Sequence, residues 1–124
     1  MKIVFLGIAT LVSSSALFSC KTNKCVVADP HFVDTFNVKL GVIKAREEGD
    51  RPVGFEEYGD AIVYLGNITG ITTRGDYSST LGYRNHKIYK EDMSKWKSWL
   101  KKNKCVFTIG MADSVLNLRL QGIK

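Results

Sequence analysis

The sequence predicts a mainly α fold: one small domain of about three helices with a long Gly- and Tyr-rich loop. Three observations lead there. Apolar residues recur at three- and four-residue spacing over 32–43, 55–68 and 89–100. Glycines stand where the first two runs stop, at Gly49 and Gly70. The chain is also short, with 124 residues of which the first 19 read as a removable leader, so the remainder can bury only one modest core.

The leader comes first. Met1-Lys2 is a short positive start, and "IVFLGIATLVSSSALFS" follows without a charge. A charged start before a run of apolar and small residues is the pattern of an export signal. A membrane span would need about 20 strongly apolar residues, and Ser13-Ser14-Ser15 interrupts the run where a span could least tolerate it. Leu17-Phe18-Ser19-Cys20 then places an aliphatic residue three positions before a cysteine and a small residue directly before it. This resembles the lipobox of bacterial lipoproteins, although Phe18 is bulkier than the residue usual there. The resemblance implies that residues 1–19 are removed, that Cys20 carries diacylglycerol and becomes the mature amino terminus, and that residues 20–28 form a tether. It implies a bacterial envelope location, facing the periplasm from an outer membrane if the host has one. Several acyl chains, at about 0.8 kcal/mol per buried methylene, would make such an attachment nearly permanent.

Two thiols then remain, Cys25 and Cys105. Outside the reducing cytosol a disulfide between them is the favoured reading, with two unpaired cysteines as the alternative. It would close a loop of about 80 residues, worth roughly 4 kcal/mol in the chain-entropy model. A metal site is poorly supported, because His31 and His86 are isolated and no ligand pair has the right spacing.

The globular part, 29–124, opens with Asp29 as N-cap and Pro30 at the first helical position. Phe32, Phe36, Leu40 and Ile43 make a helical stripe up to Gly49. A strand competes, since Phe36, Val38, Leu40 and Val42 also alternate and Gly41 weakens a helix. The second helix carries Phe55, Tyr58, Ile62 and Leu65 on one stripe, with Ala61 and Ile68 beside it, and ends at Gly70. From Gly70 to about His86, Gly, Ser, Thr and Asn predominate, so an ordered loop is expected, packed down by Tyr77 and Tyr83. The third helix has Tyr89, Met93, Trp96 and Leu100 on its seam and Trp99 on its flank. Glu91 and Asp92 open it, and Lys101, Lys102 and Lys104 close it, as the helix dipole favours. Finally, "CVFTIG" favours β structure and Leu116, Leu118 and Leu120 alternate with polar residues, which suggests a C-terminal β-hairpin; a short final helix is the alternative.

Leu65, Ile68, Thr69 and Gly70, the pair Gly82-Tyr83, and the spacing Trp96-x-x-Trp99 carry a second, weaker resemblance. Residues 61–104 are similar to a helical module found in small exported bacterial proteins and beside HEAT-like repeats. The resemblance implies helical packing like that of one repeat or capping unit, and no catalytic activity.

Candidate sites follow from residue chemistry. Trp96 and Trp99 can stack a sugar or another flat ligand, or they can supply the core, burying roughly 150–250 Å² each; the core is the favoured reading. Glu47, Glu48, Asp50, Glu56, Glu57 and Asp60 cluster around one turn, where two carboxylates held close enough can hydrolyse a glycoside. A solvated turn with helix-start charges, which Glu56 and Glu57 suit well, is the favoured reading. Arg74-Gly75-Asp76 reads as turn chemistry, Asn67-Ile68-Thr69 fits a glycosylation pattern in a helical setting, and Ser78, Ser79 and Thr80 fit no nucleophile motif.

Charge divides the chain. Cys20 to Asp60 holds six basic and eight acidic residues, whereas Ala61 to Lys124 holds eleven basic and four acidic. Lys95, Lys97, Lys101, Lys102 and Lys104 concentrate on the tryptophan helix; a plain solubilising surface is the favoured reading, and the face also suits anionic headgroups or an acidic partner. Nucleic acid is not expected as a partner, because export removes the protein from it. The sequence therefore points to a lipid-anchored envelope protein acting as a binding module. Its expected contacts are the membrane through the anchor and a protein partner touching Trp96, Trp99, Lys97 and Lys101, with no cofactor. The alternatives are an envelope enzyme acting on glycans through the acidic turn, and an immunity-type protein that neutralises a toxin.

Overall fold

The computed structural model describes residues 27–76 and 82–122. The leader, Cys20, Cys25, and Tyr77 to Thr80 lie outside the described residues. Four helices follow one another: α1 (Pro30–Glu48), α2 (Phe55–Thr69), α3 (His86–Asn103) and α4 (Ile109–Leu120). The mainly helical expectation holds, with one helix more than the periodicity suggested.

Asp29 caps α1 by accepting from the backbone N–H of His31 at 3.0 Å and of Phe32 at 3.4 Å, with Pro30 where its missing donor costs nothing. Gly49 ends the helix in the left-handed region (φ 70°), and the Asp50 N–H returns to the Ala45 carbonyl at 3.0 Å. Val38 settles the competition between helix and strand. A strand would have put it on the same face as Phe36 and Leu40, but it is 63 % exposed while both of them are buried.

Glu56 and Glu57 open α2 where the helix dipole favours negative charge, and Gly70 closes it at φ 69°. The expected stripe of Tyr58, Ile62 and Leu65 is buried with Ala61 and Ile68, but Phe55 is not part of it: at the first helical position it precedes the packed turns and stays exposed.

Asn85 caps α3 by accepting from Lys87 N–H at 2.8 Å, so this helix starts a turn earlier than the charges at Glu91 and Asp92 suggested. Tyr89, Met93, Trp96 and Leu100 form the buried seam as expected.

The C-terminal β-hairpin is not formed. Thr108 accepts from Met111 N–H at 3.3 Å and starts α4, while Cys105 and Val106 belong to the turn before it. The alternating leucines had suggested a strand, but on a helix they spread around the axis, and only Ala112 is fully buried. The only β pairing among the described residues is an isolated bridge between Asp76 and Gly82 at the base of the long loop.

α1 and α2 pack side by side between α3 and α4, whose helical bodies do not meet. Phe32, Phe36, Ile43, Tyr58, Ile62, Leu65, Tyr89 and Trp96 fill the centre. Across the α1–α3 contact, the Phe36 and Trp99 rings stack with centroids 5.6 Å apart and planes 7° from parallel, and Phe107 tilts onto Phe32 at 5.0 Å.

Candidate functional site

Two carboxylates on neighbouring helices hold the long loop. Glu47, at the end of α1, accepts the Tyr58 hydroxyl at 3.2 Å and the Tyr83 N–H at 3.1 Å through the same Oε1. Asp92 of α3 is fully buried. Its Oδ2 accepts the Arg74 N–H at 2.9 Å and the Tyr83 hydroxyl at 3.0 Å, and its Oδ1 accepts Arg74 Nε at 3.0 Å and Nη2 at 2.7 Å. Arg74 also pairs with Glu91 at 3.0 Å. A buried carboxylate is tolerated because every lone pair finds a donor. Two glycines make this approach possible. A Cβ on Gly82 (φ 115°) would sit 2.7 Å from Glu47 Oε1, and one on Gly75 would sit 2.9 Å from the Tyr83 ring.

This arrangement reassigns several residues. Arg74-Gly75-Asp76, read from sequence as turn chemistry, is also a fixed part of the loop, since Arg74 is bound to Asp92 and Gly75 is covered by Tyr83. Asp92, read from sequence as a charge that opens the third helix, is the buried anchor of the loop. Its acidic neighbour Glu91 and its position just before Met93 gave no hint of burial; Tyr77 and Tyr83 were the signs that the loop packs down, and Tyr77 lies outside the described residues.

The acidic turn is likewise engaged. Glu48 accepts the Tyr89 hydroxyl at 3.0 Å and lies between Lys44 and Lys90, at 3.9 and 3.7 Å. The tyrosine hydrogen bond, aided by both lysines, holds the Glu48 carboxyl below its usual range. Glu57 is held low by its pairing with Arg51, whose Nη1 donates at 3.1 Å. Burial, together with the charge of a neighbouring carboxylate, raises the tyrosine hydroxyls: Tyr58 beside Glu47, Tyr83 beside Asp92 and Tyr89 beside Glu48.

The tryptophans do not form a joint platform. Trp96 is wholly enclosed, so it has no surface to offer a ligand, while Trp99 is half-buried against Phe32, Phe36 and Phe107. Beside them, a groove of about 650 Å³ runs between α1 and α3. Tyr89 and Met93 form its apolar floor, and Lys44, Lys90, Lys97 and Lys101 surround it with Glu48 as the only acid. Glu48 occupies Lys44 and Lys90, which leaves Lys97 and Lys101 without an ion pair among the described residues. Such a groove can receive an anionic group with an apolar portion against its floor.

A second groove, of about 580 Å³, lies between α2 and α4 with Lys39, Arg119, Val63 and Leu116 in its walls. The Tyr64 hydroxyl beside it is buried without a hydrogen-bond partner among the described residues, and the Trp96 indole N–H is in the same position within the core. Among the described residues no cluster of His, Cys, Asp and Glu has the composition of a metal site, and no helix is long and apolar enough to cross a membrane. Cys105 sits exposed in the turn between α3 and α4 and is not a free thiol.

Comparison with protein-family models, with curated proteins and with solved structures finds no match to this chain.

Proposed function

We propose that the chain is a lipid-anchored protein of the bacterial envelope whose helical domain is a binding module, with the lysine groove between α1 and α3 as its contact for an acidic partner. Cys20 carries the anchor, and a Cys25–Cys105 disulfide ties the tether to the domain. The observation that carries the binding reading is a division of labour among the charges. Glu47, Glu48, Glu57 and Asp92 are engaged internally, whereas Lys97 and Lys101 flank an open groove with no counter-ion among the described residues. A glycan-cleaving reading would draw on two of Glu47, Glu48, Glu56 and Glu57, of which Glu47 is bound to Tyr58 and Tyr83, Glu48 to Tyr89 and Glu57 to Arg51.

Crosslinking in intact cells followed by capture of the tagged, full-length protein tests this reading. One partner should recur across growth conditions and be lost from Lys97→Glu/Lys101→Glu. Unchanged capture by that variant, or recovery of lipoprotein-processing enzymes alone, would contradict it.

A further inference from the structure

The chain enters the domain at one end of the helix bundle, and that end is unusual. Asp29 caps α1 and, through Oδ2, accepts the Ile109 N–H of α4 at 2.8 Å, so the entering chain and the α3–α4 turn are joined. The Ile109 hydrogen bond, with those from Phe32 and His31, holds the Asp29 carboxyl below its usual range. Phe107 packs on Phe32 at the same place. Around this junction three apolar side chains face solvent: Val27 at 78 %, Val106 at 68 % and Met111 at 45 % exposure. Lys101 and Lys102, in the last turn of α3, and Lys104, just after it, are all exposed beside them. Exposed apolar residues interleaved with lysines are what an anionic bilayer surface accepts: lysines at headgroup phosphates, apolar side chains at the acyl boundary.

The length of the tether favours this end. Six residues separate Cys20 from Val27, and the seven steps between the two reach about 25 Å at full extension. The opposite end lies a further helix length away: α1 has 19 residues and therefore spans about 28 Å. Tether residues Lys21 and Lys24 add to the same charge.

We infer that the domain rests on an anionic lipid surface by this end, with Val106 and Met111 entering the headgroup–acyl boundary and Lys102 and Lys104 on lipid phosphates. The inference rests on the lipid anchor proposed above and goes beyond it, since an anchor alone would leave the domain free to tumble. The lysine groove between α1 and α3 then faces sideways, open to a partner. The proposed Cys25–Cys105 bridge would reinforce the arrangement by fixing this turn five residues from the anchor.

The test uses the full-length, acylated protein reconstituted in vesicles with brominated acyl chains, one set containing phosphatidylglycerol and one phosphatidylcholine alone. Val106→Trp, and independently Met111→Trp, report the docking end, and Phe55→Trp reports the far end. Flotation of the wild type with vesicles checks the anchor separately. With wild-type emission subtracted, the tryptophan at 106 or 111 should shift to the blue and lose emission to bromolipid in phosphatidylglycerol vesicles. The loss should be smaller in phosphatidylcholine and absent for Phe55→Trp. Flotation without quenching at either 106 or 111 overturns the orientation while leaving the anchor standing; failure to float removes both. Shielding of position 106 from aqueous iodide only in whole envelopes, without bromolipid quenching, would assign this end to a protein partner and also overturn the proposal.

Discussion

Replacing Asp92 by alanine should destabilise the domain more than any other single change of a charged residue. Its four hydrogen bonds do not count equally. The Arg74 guanidinium is partly exposed and keeps Glu91, so it can turn to water at small cost. The Tyr83 hydroxyl retains Thr73 Oγ1 at 3.0 Å but loses its charged acceptor, and the Arg74 N–H loses the one acceptor it has among the described residues. Two under-satisfied, part-buried donors at about 1–3 kcal/mol each suggest a loss of about 3 kcal/mol. For a domain of roughly 100 residues, that lowers the unfolding midpoint by about 12–24 °C. Asp92→Asn keeps the shape and one acceptor and should lose about half as much. Thermal unfolding of the purified protein, followed by circular dichroism, reads both, with the exposed Asp113→Ala as a control expected within about 0.5 kcal/mol of wild type. An Asp92→Ala midpoint within about 3 °C of wild type would show that the carboxylate does not hold the loop.

The tyrosines offer a contrast. Tyr64→Phe removes a buried hydroxyl that has no partner among the described residues and should leave stability unchanged or raised, whereas Tyr58→Phe removes a bond to Glu47 and should cost about 1 kcal/mol; urea unfolding midpoints distinguish them. Acid provides the remaining prediction. Asp29, Glu48 and Glu57 all titrate lower in the folded protein than unfolded, so the unfolded chain binds more protons in that range. Their contribution is fully present above the unfolded carboxylate values, about 4, and is lost as pH falls through the lower folded values. The urea midpoint should stay level from about pH 7 to 5 and fall below about 4. Asp29→Asn, which preserves the N-cap, should make that fall shallower.

What the sequence revealed and what it concealed have the same physical origin. Helical spacing of Phe32, Phe36, Leu40 and Ile43, and of Tyr89, Met93, Trp96 and Leu100, is a local pattern, and burial of one stripe follows from it wherever the helix docks. The caps at Asp29, Gly49 and Gly70 are equally local. α4 was less legible because its apolar residues lie all around the axis, so no period of 3.6 stands out against the alternation of Leu116, Leu118 and Leu120. Asp92 was hidden for a different reason. Its burial depends on Arg74 and Tyr83, 18 and 9 residues away, which only the folded loop brings to it. The lysine groove was legible in half: Lys97 and Lys101 stood out by charge, but Lys44 and Lys90 joined them only once α1 and α3 packed.

The anchor proposed at Cys20 underlies the whole functional reading, and metabolic labelling with a palmitate analogue tests it most directly. The wild-type protein should take up label and migrate with the membrane fraction, and Cys20→Ala should lose both. An unlabelled wild type, or undiminished label on Cys20→Ala, would contradict the account.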